Sequence, residues 1–352
     1  MTASTTTGRN PVSLRDPAQL LAALPCVLGF RPENSVVLIG HRPPGTRIGL
    51  VLRADLPSKS LRRRQADALA PRFAASPHTG VTVLVIGGRR RPAGPPPHGG
   101  FVGRLQDALG DQGLPVLHAL WTPEIAAGKP WQCYQDAHCG GTLPDPRATV
   151  AAAETAHSGD VVFDSRDDLE ETLAPRDPEA VARRAERLAV LLEPPWPDAD
   201  RVASAGAEIR TALERMSRGL GLPGTDDEII RLACALEVKE VRDACLALAV
   251  PPDTAQARQA DVLWLTLVRE LPAPERAEPA ALLAYSTFMH GGGALVGIAL
   301  EKALDADPDH LLARLLSESI YGGMPPERLR CLADVPKLDE LVQPGFSPGE
   351  SG

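Results

Sequence analysis

The pattern of apolar residues changes near residue 147, and this change constrains the fold more than any other feature of the sequence. Before it, runs rich in Val, Ile and Leu alternate with helix-like segments. The strand-like runs are 35–40, 48–56, 81–88 and 115–121, and the helix-like segments between them are 58–74 and 101–113. Such alternation is typical of a sheet flanked by helices. We therefore predict an α/β domain with a mostly parallel or mixed sheet.

After residue 147 the patterns are typical of helices alone. Capping boxes stand at Ser165-x-x-Asp168 and Thr225-x-x-Glu228, and Asp177-Pro178 is a further helix start. The predicted helices are 202–220, 226–236, 238–249, 254–270, 278–289, 294–305 and 308–321. The run Ala303-Leu304-x-x-x-Pro308 is similar to the end of a tetratricopeptide unit, so we expect one repeat-like helical hairpin in an all-α domain.

Length and charge support two domains. The chain has 352 residues, and residues 1–150 carry a formal charge of +8 whereas residues 151–352 carry −16. We predict a disordered tail at 1–10, an α/β domain at 11–146, a helical domain at 147–342 and a second disordered tail at 343–352. The acidic helical half is a candidate surface for a protein partner.

Several classes of protein are disfavoured. The arginine runs at 62–64 and 89–91 lack interleaved aromatic residues, so we expect a solvated basic face and no nucleic-acid partner. The N-terminus has no signal-peptide pattern and no run is long and apolar enough for a membrane span, so we expect a cytoplasmic protein without a membrane partner.

The segment 131–146, WQCYQDAHCGGTLPDP, holds three residues that commonly bind zinc. Cys133, His138 and Cys139 are candidate metal ligands, but a structural zinc needs a fourth. Asp136, His118 and His157 are the candidates for that position. We favour a structural loop over a zinc site, and we rank redox pairing of the two cysteines below both.

A second candidate site lies at the end of a predicted strand. Arg53 and Asp55 share one face there, and ligands of α/β sheets bind beyond such ends. Glu33, Asn34 and Ser35 precede the first strand of the domain and are candidate ligand-binding residues as well. We favour the alternative that Arg53 and Asp55 form an ion pair that positions the following turn.

Five segments occur in an order that resembles a known family. They are DPAQLLAALPCVLGFRPENSVVLIG (16–40), LRADLP (52–57), the Trp-Cys-Cys segment (131–146), SRDDLEETLAP (165–175) and GGGALVGIALEKALDADPDHLLARLL (291–316). Together they resemble the actinobacterial domain of unknown function family 4192 over roughly residues 11–333. That resemblance implies no particular activity. The family usually has a Cys-Cys-Pro sequence where this chain has His138, Cys139 and Gly140, a substitution that keeps a metal-binding atom.

Two functional hypotheses follow. The first, which we prefer, is a non-catalytic cytosolic binding or regulatory protein that uses a helical interaction surface. The alternative is a small-molecule or nucleotide-utilising enzyme with its site at the strand ends, at Arg53 and Asp55. The G-x-S-x-G match at 345–349 does not support an enzyme, because no strand precedes it and no helix follows it.

Overall fold

A computed structural model describes residues 2–5, 16–43, 47–74, 77–89, 94–191 and 199–342. The chain divides into two compact units. The first consists of residues 1–170, 291–297 and 318–326, and the second of residues 171–290, 298–317 and 327–352. The tail expected at 343–352 lies outside the described residues.

The first unit contains a mixed sheet, one of the two arrangements that we predicted. Its strands are β1 (Thr2–Thr5), β2 (Ser35–Arg42), β3 (Arg47–Asp55), β4 (Gly80–Ile86), β5 (Val116–Thr122), β6 (Pro130–Cys133) and β7 (Gly140–Thr142). Within the described residues the order is β1-β3-β2-β4-β5-β6-β7, and all neighbours are antiparallel except β4 and β5. The predicted strands are confirmed as β2 to β5. The residues of β2 and β4 are almost all buried, and this explains the continuous apolar sequences of these two strands.

Strand β1 corrects one expectation, because it lies within the segment 1–10 for which we predicted a disordered tail. It pairs with β3 from Thr2 opposite Arg53 to Thr5 opposite Leu50. Such edge pairing uses backbone groups and needs no apolar alternation, so the sequence carried no signal for it. The rest of 1–10 lies outside the described residues.

The strand directions place two helix starts at one edge of the sheet. Strands β3 and β4 are both antiparallel to β2, and β5 is parallel to β4, so β3, β4 and β5 all end at the same edge. We call this the carboxyl edge. Helix α2 (Arg62–Leu69) follows β3, and helix α4 (Gly99–Asp111) connects β4 to β5. The N-termini of both helices therefore lie near the carboxyl edge.

The other helices of the first unit are α1 (Pro17–Leu28), α3 (Pro71–Ala74), α5 (Val150–Ser158) and α6 (Arg166–Glu171), the last ending at the unit boundary. At the start of helix α1, the Asp16 carboxylate accepts hydrogen bonds from the backbone N–H groups of Ala18 and Gln19. Helices α5 and α6 fall outside the boundary of 146 that we predicted for the α/β domain. The reason is a backbone bridge between Phe30 and Phe163, with Phe163 N–H donating to Gly29 O over 2.9 Å.

The remaining helices confirm the all-helical pattern of the second half. They are α7 (Pro178–Leu191), α8 (Ala199–Ser217), α9 (Asp226–Leu236), α10 (Lys239–Leu246), α11 (Ala255–Glu270), α12 (Ala277–Met289), α13 (Gly293–Ala306), α14 (Leu311–Tyr321), α15 (Pro326–Leu329) and α16 (Leu338–Leu341). Thr225 and Glu228 form the predicted capping box of α9. Residues 293–321 form two helices, and their likeness to a tetratricopeptide hairpin stays a prediction.

The core of the second unit is centred on α11 and α12. Trp264, Tyr285 and Phe288 are almost completely buried there, and the Tyr285 hydroxyl donates to Leu329 O over 3.1 Å. This satisfies the polar end of a large buried side chain. Among the helices that the structure describes, none combines the length and the apolar character needed to cross a membrane.

Candidate functional site

The carboxyl edge of the sheet brings together several of the predicted site residues. Ser35, at the start of β2, is paired with Asp55 at the end of β3 and with Ile86 at the end of β4. Ile86 is paired with Thr122 at the end of β5. Ser35 and Asp55 therefore lie side by side in one row across four strands.

Arg53 lies two residues before Asp55 in β3, and its side chain makes three contacts within the protein. Its Nε donates to Ser35 Oγ over 2.9 Å, its terminal nitrogen lies 2.7 Å from Asp55 Oδ1, and its guanidinium lies 5.9 Å from the centre of the Phe30 ring. Burial lowers the pKa of Arg53, and the neighbouring Asp55 opposes this effect. The Asp55 side chain is 80% exposed. These contacts occupy Arg53 within the protein, so it positions the edge and offers few free donors to a ligand.

Glu33 and Asn34 shape the loop that enters β2. Ser35 Oγ donates to Glu33 O, and Leu56 N–H donates to Asn34 O over 2.8 Å, which ties the loop to the end of β3. Asn34 has a φ of 41°, a left-handed conformation that is uncommon outside glycine. Both side chains are exposed at this edge.

Gly87 and Gly88 follow β4 at the centre of the same edge, and both have positive φ angles, 114° and 79°. A Cβ at Gly87 would lie 2.9 Å from Asn34 Oδ1, and one at Gly88 would lie 2.9 Å from His98 Nε2. The two glycines thus let the loop before β2 and the loop before α4 approach the end of β4 closely.

His98 precedes α4 and is the residue that the sequence analysis missed. It has a φ of 64°, and its side chain does not cap α4 within the described residues. Its Nδ1 is buried and has no hydrogen-bond partner in the described part of the chain, and the same holds for Arg62 Nε at the start of α2. The signal that could have found this site is Gly-Gly directly after a buried strand with His-Gly-Gly directly before a helix.

Burial lowers the pKa of His98, and the positive charge of Arg62 lowers it further. A lowered pKa keeps the imidazole neutral at pH 7, so one ring nitrogen is a donor and the other an acceptor. In the described part of the chain, these two buried nitrogen atoms have no partners and lie beside a helix N-terminus that no side chain caps, which leaves hydrogen-bonding capacity unused. We call Arg62, Gly88, His98 and the first turn of α4 the edge cluster.

The loops of the edge cluster are held in place by two aromatic side chains. Trp121 Nε1 donates to Gly87 O over 2.7 Å, and the Tyr134 hydroxyl donates to Pro97 O over 2.6 Å. Burial raises the pKa of Tyr134, so its hydroxyl keeps the proton that it donates. Trp121 belongs to β5 and Tyr134 directly follows β6, so the sheet itself holds the loops of the edge cluster in place.

The cysteine segment forms a short hairpin of β6 and β7. Gln132 is paired with Gly140, and Cys133 N–H donates to Cys139 O over 2.9 Å, so the two cysteines face each other across the strands. His138 is exposed, and its N–H donates to Asp136 Oδ1 over 2.8 Å. In the described part of the chain, no three His, Cys, Asp or Glu residues are placed to hold a metal ion. The geometry brings the two cysteines together but adds no support to the zinc alternative that we ranked below a structural loop.

Comparison with known proteins gives one match. A family model described as a domain of unknown function (DUF4192) matches residues 17–327 of the chain. No match was found among curated proteins or among solved structures.

Proposed function

The chain belongs to the DUF4192 family, and from its own geometry we propose that it binds a small anionic ligand, such as a phosphate group, at the edge cluster. The proposed site lies at the strand ends, where our alternative hypothesis from the sequence expected the active site of a small-molecule or nucleotide-utilising enzyme. The proposal concerns binding, and it includes no reaction step.

The observation that carries the proposal is the pair of buried nitrogen atoms, Arg62 Nε and His98 Nδ1, that have no partner among the described residues. A buried polar atom without a partner costs about 1–3 kcal/mol, and a ligand or an ordered water that completes its hydrogen bonding removes that cost. Arg62 also forms no ion pair with a carboxylate in the described part of the chain. Its charge is therefore available to an anion.

The helix start supports the same chemistry. The N–H groups of the first turn of a helix have no partner within the helix, and the helix dipole adds a partial positive charge there. Gly99 and Gly100 begin α4, and an added Cβ at either would meet no heavy atom within 4 Å. Gly99 and Gly100 are exposed, so the start of α4 is open to solvent, whereas Phe101 N–H already donates to His98 O over 2.8 Å. A glycine-flanked helix start after a strand suits a phosphate or a carboxylate group.

A titration with inorganic phosphate, followed by NMR of the His98 ring, tests the proposal. We expect phosphate to shift the His98 resonances and to raise the pKa of His98, because an adjacent anion stabilises the imidazolium. Arg62→Met should weaken phosphate binding by about tenfold or more, since a hydrogen bond to a charged group contributes about 1.5–3 kcal/mol.

Arg63→Met is the matched control, because Arg63 lies next in the same helix with its side chain 81% exposed. It removes the same charge from α2 and should leave binding nearly unchanged. A His98 ring that does not respond to excess phosphate would refute the proposal. So would an equal loss of affinity in the two arginine variants, since that outcome would reveal general charge attraction only.

Our preferred sequence hypothesis, a partner surface on the helical half, rests on a separate observation. Leu311 and Leu315 lie one turn apart on α14 and are 68% and 52% exposed. Residues one turn apart lie on the same face of a helix, and contiguous exposed apolar surface marks sites of protein–protein interaction. A photo-crosslinking residue at position 315 should then capture a partner of defined mass from cells. The same residue at Val262, which is 45% exposed on α11, should not, and equal capture at both positions would reject this surface.

A further inference from the structure

The β6–β7 hairpin places Cys133 and Cys139 directly opposite each other. The Gln132–Gly140 pair precedes them in the register, and the backbone bond from Cys133 N–H to Cys139 O continues the ladder. Cys139 N–H donates instead to Asp136 O, so the two cysteines share a single backbone hydrogen bond at the end of the ladder. Residues opposite each other in an antiparallel ladder project their side chains to the same face, with Cα atoms about 4.5–5.5 Å apart. Disulfides occur at Cα separations of roughly 4.4–6.8 Å. The backbone of the hairpin thus already meets the main requirement for a disulfide.

From this geometry we propose that Cys133 and Cys139 form a reversible disulfide, and that the hairpin is a redox-active dithiol site. Both are free cysteines in the structure, Cys133 buried and Cys139 partly exposed. Neither belongs to the edge cluster, so the proposal is independent of anion binding. It also reverses our ranking from the sequence, which placed redox pairing last because the opposition of the two residues was unknown.

The oxidant that we assign is a low-molecular-weight disulfide. The thiolate of Cys139, the more exposed residue, attacks one sulfur of that disulfide, which releases one small thiol and forms a mixed disulfide. Cys133 loses its proton and attacks the Cys139 sulfur, which releases the second small thiol. Two protein thiols are thereby oxidised, one small disulfide is reduced to two thiols, and the two protons end on the released thiols.

The surroundings make this exchange slow at neutral pH. Burial raises the pKa of Cys139, and the adjacent Cys133 and Asp136 raise it further. Because only the thiolate attacks, the rate of oxidation should rise with pH above 7. The exposed Cys331 is a single thiol that serves as the comparison.

Incubation of the full chain with oxidised glutathione at graded ratios to reduced glutathione tests the proposal. Trypsin leaves both cysteines in one peptide, residues 105–147, because Lys129 is followed by Pro130. We expect this peptide to lose two hydrogen masses without gaining glutathione. Its disulfide should form at ratios roughly tenfold or more below those that modify Cys331, since the second thiol is held at a high effective concentration.

Cys139→Ser is the decisive variant, since Cys139 is only partly buried and circular dichroism can verify that the variant folds. It should abolish the internal disulfide, while Cys331→Ser should leave it intact. Glutathione retained on the 105–147 peptide of the unmodified protein would overturn the proposal, because it would mean that Cys133 cannot close the ring. Two unchanged thiols at ratios that fully modify Cys331 would also overturn it.

Discussion

Arg184 should be a main contributor to the stability of the second unit. Its side chain, on α7, is 4% exposed. Its Nε donates to Asp226 Oδ1 over 2.8 Å at the start of α9, and another of its nitrogens reaches both Glu270 O and Glu270 Oε2 at the end of α11. One guanidinium thus joins three helices. The proposed perturbation is Arg184→Met, which keeps an apolar side chain of similar length but removes the charge and every donor.

The expected cost follows from what Arg184→Met leaves behind. Breaking a buried ion pair by removing one partner costs about 3–5 kcal/mol, because the other charge stays buried and uncompensated. The Glu270 and Asp226 side chains are 16% and 26% exposed, so water reaches them in part. Arg183 Nε also lies 3.6 Å from Asp226 and compensates some of its charge. We therefore expect the lower end of the range, about 3 kcal/mol.

Arg187→Met is the matched control on the same helix. Arg187 forms its ion pair with Asp227, and the two side chains are 46% and 69% exposed. Exposed pairs contribute about 0–1 kcal/mol, and added salt screens them. The two variants remove the same side chain from the same helix and differ mainly in burial, so the comparison isolates burial.

Amide hydrogen exchange in α9 and α11 is the appropriate assay. A chain with two compact units need not unfold in one transition, and exchange reports the stability of each helix separately. We expect Arg184→Met to lower the free energy of opening by about 2 kcal/mol more than Arg187→Met does, which corresponds to a roughly 30-fold larger opening constant. A cost below about 1 kcal/mol for Arg184→Met, equal to that of the control, would refute the reasoning that burial determines the contribution of this arginine.

Two further predictions concern local features of the helices and the sheet edge. Backbone N–H groups at Gly224 and Thr225 lower the pKa of Glu228 to about 2. The stabilisation from this carboxylate should therefore be present above its ordinary pKa and be lost as the pH falls toward 2, and Glu228→Gln should flatten the acid limb of a stability–pH curve between those limits. Gly87→Ala should cost about 1–3 kcal/mol in thermal unfolding, because φ is 114° there and the added Cβ would press on Asn34. Gly103→Ala, inside α4 with no heavy atom within 4 Å of the added Cβ, should instead stabilise by up to about 1 kcal/mol, and a similar loss in both variants would contradict the assigned strain at Gly87.

The candidate sites illustrate how far local patterns reach. Arg53 and Asp55 were predictable as neighbours, because strand alternation places them on one face. The position of Ser35 beside Asp55 was not, because it depends on the antiparallel pairing of β2 with β3. The proximity of Arg62 and His98, whose nitrogens Arg62 Nε and His98 Nδ1 have no partner among the described residues, was not predictable from the sequence. Arg62 follows β3 and His98 follows β4, and their meeting depends on the strand order and on the tight turn at Gly88.

The sequence by itself determined the secondary structure of most of the chain, the change from α/β to helical structure, and the start of individual helices. These features are local: apolar periodicity and caps such as Asp16 and Thr225 act within a few residues. The sequence did not decide whether the sheet is mostly parallel or mixed, because the direction of each strand depends on partners that are distant in sequence.

Only the tertiary structure decided which polar groups are left without partners and which cysteines face each other. Strands β6 and β7 have four and three residues, too few for alternation to reveal a hairpin, so the opposition of Cys133 and Cys139 was invisible in the sequence. The same holds for the edge cluster and for Arg184, whose partners come from separate helices. Burial and pairing are properties of the assembled fold, and they set the energies on which the proposed anion site and the proposed redox site both depend.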